Sequence, residues 1–300
     1  MRIVSLLASG TEIVCALAAG DTLVGRSHEC DNPAWVHSLP ACSQPAFDIS
    51  VSSRDIDAEV RRRIHSGEPL YLIDSSLIRS LQPDLVITQS HCEVCAVTPG
   101  DVERSGVCMV NARQLALSAG SLEGIFADIG RVARELGLEK RGCELIDRER
   151  CRLQTVRAKT AGLRKPTLVM IEWTDPIFAM GNWGPELVEI AGGDLLIGRA
   201  GEYSGAIDPA QLRAADPEFL IVAPCGFSLA RALQDQAVLE QHPWWGDLQA
   251  VRNGKVAFAD GNLFFNRSGM TVAPTAEIIA EILHGAPFGE RTEGVYWRWL

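Results

Sequence analysis

Short apolar runs alternate with stretches of helical period along the whole chain. Residues 3–7, 85–88, 107–110, 167–172, 219–223 and 256–259 are compact, apolar and rich in β-branched side chains, the pattern of buried parallel strands. Between them the period lengthens. Ser9 and Glu12 have the S-x-x-E spacing of a capping box ahead of Ile13, Val14 and Leu17, and Gly20 is the expected stop of that helix. Asp208-Pro209 supplies an N-cap and a first-turn proline to a helix in the second half. Strands alternating with helices predict an α/β fold with mostly parallel sheets.

The pattern also repeats. Gly10 to Asp21 resembles Gly184 to Asp194, and Gln82-Pro83-Asp84-Leu85-Val86-Ile87 resembles Asp216-Pro217-Glu218-Phe219-Leu220-Ile221. Two matches in the same order predict two similar lobes. Between them, Leu122, Ile125, Ile129, Val132 and Leu136 keep a helical period up to Gly137. A second run over 139–161, with Cys143, Ile146, Leu153 and Val156 on one side, predicts a long, stiff helical connector. The expected organisation is an N-terminal lobe over 1–120, connecting helices over 121–164, a C-terminal lobe over 165–284 and an aromatic tail over 285–300, with a ligand cleft between the lobes.

Composition narrows the functional classes. The net charge of −10 disfavours a general grip on nucleic acid or anionic lipid, which needs clustered Lys and Arg. No stretch approaches the roughly 18 apolar residues of a membrane span. The start of the chain reads as a core strand rather than a secretory leader. Nine scattered cysteines are not a disulfide framework, and they predict a reducing, cytoplasmic setting, or a periplasmic one if a leader is removed.

Ligands of open α/β sheets bind beyond the carboxyl ends of the strands, so the segments there carry the candidate chemistry. They hold His28, Cys30, His91, Cys92 and Cys95 in the first half, and Glu172, Trp173, Trp183, Phe227, Phe264, Phe265, Asn266 and Arg267 in the second. The aromatics suit a large, flat, partly apolar ligand, oriented by a few polar groups such as Asn266 and Arg267. His28, Cys30, His91, Cys92 and Cys95 are ligands of the type a soft or borderline metal takes, or could touch a metal held inside the ligand. The single C-x-x-C also leaves a thiol-dependent enzyme open. Neither a G-x-S-x-G elbow nor a phosphate-binding glycine loop occurs.

These residues resemble a known family. Arg2-Ile3-Val4-Ser5-Leu6-Leu7, Thr11-Glu12-Ile13 and Leu81-Gln82-Pro83-Asp84-Leu85-Val86-Ile87 are similar to the substrate-binding proteins of ABC importers for cobalamin and iron chelates. His28-Glu29-Cys30-Asp31, Cys92-Glu93-Val94-Cys95-Ala96-Val97, Pro224-Cys225-Gly226-Phe227 and Asp260-Gly261-Asn262 with Phe265 and Arg267 resemble a branch labelled cobalamin-binding protein. The likeness runs over about residues 1–284. It implies two α/β lobes joined by one long helix, and non-enzymatic binding of cobalamin, another corrinoid or a related tetrapyrrole or chelate for transport, storage or handover. It also implies docking to an ABC permease through acidic residues, with Glu186 the candidate in the second lobe. Soft-metal binding and thiol chemistry remain the alternatives.

Overall fold

The computed structural model describes residues 1–92, 94, 96–106, 112–285 and 288–300. The chain divides into two compact lobes. The first comprises Met1–Val51, Asp55–Ala119 and Glu123–Asp147; the second comprises Ser52–Arg54, Gly120–Leu122 and Arg148–Leu300.

Up to the connector, the elements are β1 (Ile3–Ser5), α1 (Ala8–Ala16), β2 (Leu23–Arg26), β3 (Ser43–Pro45), α2 (Ser53–Ser66) and β4 (Tyr71–Ile73). There follow α3 (Ser75–Leu81), β5 (Leu85–Gln89), α4 (Pro99–Arg104), β6 (Arg113–Leu117), α5 (Leu122–Glu135) and α6 (Glu139–Thr160). The main sheet has the order β2-β1-β5-β6, and each of these neighbours is parallel. Parallel strands covered on both faces bury every side chain, and β1 and β5 are buried throughout. A small antiparallel pair, β3 with β4, sets Ser43 opposite Ile73 and Pro45 opposite Tyr71.

The expected strand at 107–110 lies outside the described residues, as does Cys95; the strand beside β5 is β6. Helix α1 departs from expectation at both ends. It starts at Ala8, because only Leu6 and Leu7 separate it from β1, so Ser9 and Glu12 are interior and buried rather than a capping box. It stops before Gly20, where Ala18 adopts φ 55° and the Ala19 amide bonds Val14 O at 3.1 Å.

Helix α6 is 22 residues long, about 33 Å at the α-helical rise. Its buried stripe is Gly142, Leu145, Glu149, Leu153, Val156 and Thr160, spaced three or four residues apart, whereas Cys143 is exposed and Ile146 only half-buried. Glu149 therefore sits where the period wants an apolar residue, and burial raises its carboxyl above the ordinary range.

The second lobe continues with β7 (Thr167–Thr174), β8 (Ile177–Ala179), α7 (Gly184–Ile190), β9 (Asp194–Leu195), β10 (Gly205–Ala206) and α8 (Pro209–Ala215). It ends with β11 (Phe219–Val222), α9 (Leu229–Ala232), α10 (Gln236–Glu240), α11 (Gln249–Arg252), β12 (Val256–Ala259), α12 (Val272–His284) and β13 (Trp297–Trp299). The sheet order is β10-β8-β7-β11-β12-β13, with β9 added beside β7. Strands β7, β11 and β12 are parallel and almost wholly buried. The aromatic tail supplies β13, an antiparallel edge on β12 that pairs Trp297 with Ala259 and Trp299 with Ala257. Asp208 caps α8 with a full capping box and Pro209 in its first turn, as expected. Among the described residues no helix is long and apolar enough to cross a membrane.

Candidate functional site

In the first lobe the parallel strands bring the segments after β2 and β5 to one edge of the sheet. His28 lies two residues beyond β2, its side chain 18% exposed. Its Nδ1 is 2.9 Å from Ser43 Oγ on β3, its backbone N–H donates to the same hydroxyl, and that hydroxyl donates onward to Ser27 Oγ at 3.3 Å. The Ser43 hydroxyl fixes the ring through Nδ1, and Nε2 stands 3.9 Å from Glu29 Oε1. Burial first, and then the charge of Arg26, lowers His28 to about 4, so the ring is neutral at neutral pH. Tyr71 on β4 packs its ring 5.6 Å from that of His28 and donates its hydroxyl to Val94 O at 2.7 Å.

The thiol ligands do not gather around this imidazole. Cys30 is fully buried, accepts the Thr11 hydroxyl at 3.0 Å and faces Ser5 O at 3.7 Å, so it packs the turn onto α1. Cys92 is disulfide-bonded, and its sulfur is not the thiolate that a soft metal takes. Its backbone amide is held by Gln89 Oε1 at 2.9 Å, and the Gln89 amide reaches Ala96 O at 3.2 Å, so the last residue of β5 clamps the following loop. His91 is half-buried in that loop. Among the described residues no three His, Cys, Asp or Glu side chains converge as a metal-holding group.

The second lobe builds its edge from aromatics and amides. Trp173, near the end of β7, is half-buried, donates from Nε1 to Ser53 O at 3.2 Å and stands 5.1 Å from Phe227, which follows β11. The Arg231 guanidinium lies 4.2 Å over the Phe227 ring. Trp183, Phe227, Phe264 and Phe265 are all buried, so the expectation that they offer open faces gives way to a packing role. Trp183 Nε1 donates to Phe265 O at 3.1 Å, and Phe264 meets Tyr296 edge-on at 4.7 Å. Asn266 donates from Nδ2 to Ala223 O and Gly261 O, both at 3.0 Å, tying the ends of β11 and β12 together. Arg267, only 7% exposed, donates to Asn262 Oδ1 at 3.2 Å. Gly261 fits because a Cβ there would lie 2.2 Å from Pro224 O.

Glu172 is the unusual group at this edge. The pairing of β7 with β8 slips around it, Ile171 facing Ala179 and Trp173 facing Phe178, a local irregularity that re-aims a side chain. Its Oε2 accepts the Ser204 hydroxyl at 2.5 Å, and Ser204 in turn accepts from the amide of Gly181 at 2.8 Å. Burial pushes the carboxyl up to about 7 against the opposing pull of that hydrogen bond.

Ser43, Tyr71, Gln89 and Ser204 are the partners that reading the sequence missed. Ser43 and Tyr71 come to His28 only through the β3–β4 pair, and Ser204 comes to Glu172 from 32 positions away. No local motif marks such pairs. Glu186, the expected docking acid, is half-buried and accepts the amide of Leu122 at 2.7 Å. It therefore caps the start of α5 rather than standing free for a partner.

A family model described as Periplasmic binding protein matches residues 3–263. No curated protein matches the chain. Solved structures do. A periplasmic heme-binding protein from Pseudomonas aeruginosa is similar at 19% identity and a TM-score of 0.70, over 95% of this chain and 93% of that one. The periplasmic vitamin B12 binding protein BtuF of Vibrio cholerae is similar at 19% identity and a TM-score of 0.66, over 94% and 96%. IsdE of S. aureus, solved with heme, is similar at 16% identity and a TM-score of 0.72, over 94% and 98%. At these identities the likeness establishes the fold. The family description and the disulfide at Cys92 do not support the expected cytoplasmic setting.

Proposed function

The chain belongs to the periplasmic binding protein family, and from that membership we propose that it is a non-enzymatic carrier of a corrinoid or related metal-tetrapyrrole, bound at the carboxyl-end edges of its sheets. The observation that carries this reading is His28: a neutral imidazole whose Nδ1 is fixed by Ser43, so that Nε2 is the ring nitrogen offered to a metal held inside the ligand. His91 is a second imidazole of the same lobe, half-buried in the loop after β5. Handover to an ABC permease is the natural destination for such a carrier, through surfaces other than the Glu186 carboxylate, which is already bonded within the fold.

Titration of the purified, metal-free protein with cobalamin, cobinamide and haem, followed by visible absorption and tryptophan emission, tests the proposal. Saturable one-to-one binding by one of them is expected, with a change in tryptophan emission. Ser43→Ala, which frees the ring without removing it, should weaken that binding by about tenfold or more. His28→Ala should abolish the shift of the metal's absorption bands. No saturable binding of any of the three would sink the proposal.

A further inference from the structure

Glu172 has no part in holding the second lobe together that an amide would not serve as well. It occupies the irregular point of β7, beside the half-buried Trp173 and its neighbour Phe227, on the side of the sheet where ligands of such folds bind. One oxygen is spoken for. Ser204 has a single hydroxyl proton and already accepts from Gly181 N, with Asn182 Nδ2 at 3.5 Å, so it donates to Oε2. Oε1 makes no hydrogen bond among the described residues. The carboxyl is thus oriented by one atom and open at the other, the arrangement of a group that reads something outside the protein.

We propose that Glu172 is a specificity residue of the second lobe: through Oε1 it pairs with an uncharged amide at the ligand's edge and disfavours a carboxylate there. This deepens the reading above and rests on it. The chemistry follows from what Oε1 can be. Ionised, it accepts an N–H; protonated, with Oε2 fixed as the acceptor for Ser204, it donates an O–H. A primary amide offers both an N–H and a C=O and satisfies either state. A carboxylate satisfies only the protonated one, and meets the ionised one as a like charge in a desolvated setting. The titratable and charged groups on the neighbouring segments are Cys225, whose amide donates to Glu172 O at 3.0 Å, the exposed Arg199–Glu202 pair at 3.7 Å, Tyr203, Asp175 paired with Arg54 at 2.7 Å, and Asp235, bonded to Thr174 and paired with Arg231 at 2.8 Å. The raised carboxyl is traced to burial, not to any of these charges. It is protonated below about 7 and ionised above, so selection against a carboxylate should strengthen as pH rises through neutrality.

The test compares cobinamide, whose edge carries amides, with cobyrinic acid, which keeps the ring and metal but carries carboxylates. Their dissociation constants are measured by absorption titration from pH 5.5 to 8.5. The wild-type protein should prefer cobinamide by roughly tenfold more at pH 8 than at pH 6. Glu172→Gln, close in shape and unable to ionise, should bind both and lose that pH-dependent change in ratio. Ser204→Ala, which removes the bond opposing the shift, should move the midpoint of the change to higher pH. A ratio that does not change with pH in the wild type, or changes equally in Glu172→Gln, overturns the inference while leaving the carrier reading in place. Failure of both compounds to bind at any pH overturns this inference; the carrier reading falls with it only if cobalamin and haem also fail to bind.

Discussion

In the first lobe α1 ends with Ala18 at φ 55° and the Ala19 amide on Val14 O; in the second, α7 ends with Gly192 at φ 75° and the Gly193 amide on Val188 O at 2.9 Å. Further along, α3 ends on Gln82 at φ 46°, ψ 59° ahead of Pro83, Asp84 and β5, while α8 ends on Asp216 at φ 37°, ψ 61° ahead of Pro217, Glu218 and β11. Backbone conformation agrees residue for residue at both matched sites. The ligand-side edges share nothing of the kind. In the first lobe β5 is clamped by its own Gln89, but the ends of β2 and β6 are held from outside: His28 by Ser43, and the end of β6 by Asp128 of α5, whose Oδ2 accepts the amides of Ser118 and Ala119 at 2.8 and 3.0 Å. In the second lobe Ser204 holds Glu172 from outside, but the ends of β11 and β12 are tied chiefly by their own loop. Asp260 Oδ1 takes the amides of Asn262 and Leu263, Asn266 ties β11 to β12, and Phe265 adopts φ 51° under the Trp183 indole. Helix ends and strand starts answer to backbone sterics, which are the same in both lobes. Strand ends answer to the side chains that hold them, which differ between the lobes.

The largest effect should come from breaking the external support of the first lobe. Asp128 is 2% exposed and also accepts from Arg131 at 2.9 Å, so Asp128→Ala unpairs the buried Ala119 amide, the part-buried Ser118 amide and a partly exposed guanidinium. A loss of about 3 kcal/mol is expected in denaturant unfolding. Asn266→Ala in the second lobe removes two donated bonds from an edge that keeps its Asp260 and Trp183 ties, and about 1 kcal/mol is expected. Equal losses at the two sites would erase the distinction between edges held from outside and from within.

Sequence reading recovered the parts that backbone rules control. The alternation of strands and helices, the two-lobed repeat, the long connector and the Asp208 cap are all local patterns, each legible from residue type and spacing. It failed where tertiary placement overrides local preference. Ser9 and Glu12 have the spacing of a cap, yet β1 delivers the chain into α1 too early for them to serve as one. Cys143 fits the helical period of α6 roughly, yet the buried stripe passes through Glu149 instead. At the candidate site the residue types were visible but their burial was not. Trp183, Phe264 and Phe265 look like ligand contacts because they are aromatic and sit near strand ends, and their fixed places come from partners 10 to 80 positions away, such as Thr275 for the Phe265 amide.

A reciprocal exchange sharpens the repeat at its helix ends. Ala18 and Gly192 share a left-handed conformation, but only glycine adopts it without a Cβ penalty. Ala18→Gly should stabilise the protein by about 0.5 kcal/mol, the relief being partly offset by a more flexible unfolded chain. Gly192→Ala should cost about 2 kcal/mol, because its Cβ would also lie 2.8 Å from Thr160 Cβ on α6. Thermal unfolding of the two variants reads the difference, and opposite signs are required if the two helix ends are truly equivalent.

The smallest effect discriminates between strand starts that look identical in the backbone. Gln82 and Asp216 are both non-glycine residues held at positive φ, so glycine at either should relieve strain of similar size. Their side chains differ in employment. Asp216 Oδ1 accepts the amide of Gln249 at the start of α11 at 2.6 Å, a bond with no counterpart at Gln82 among the described residues. Gln82→Gly should therefore gain about 0.5 kcal/mol, while Asp216→Gly should be close to neutral or slightly unfavourable, the relief cancelled by losing the cap. If both variants gain alike, the Asp216 bond contributes nothing and the strand starts are equivalent in energy as well as in shape. If they diverge, the two lobes have kept one backbone solution while the second has recruited its turn residue to hold the following helix.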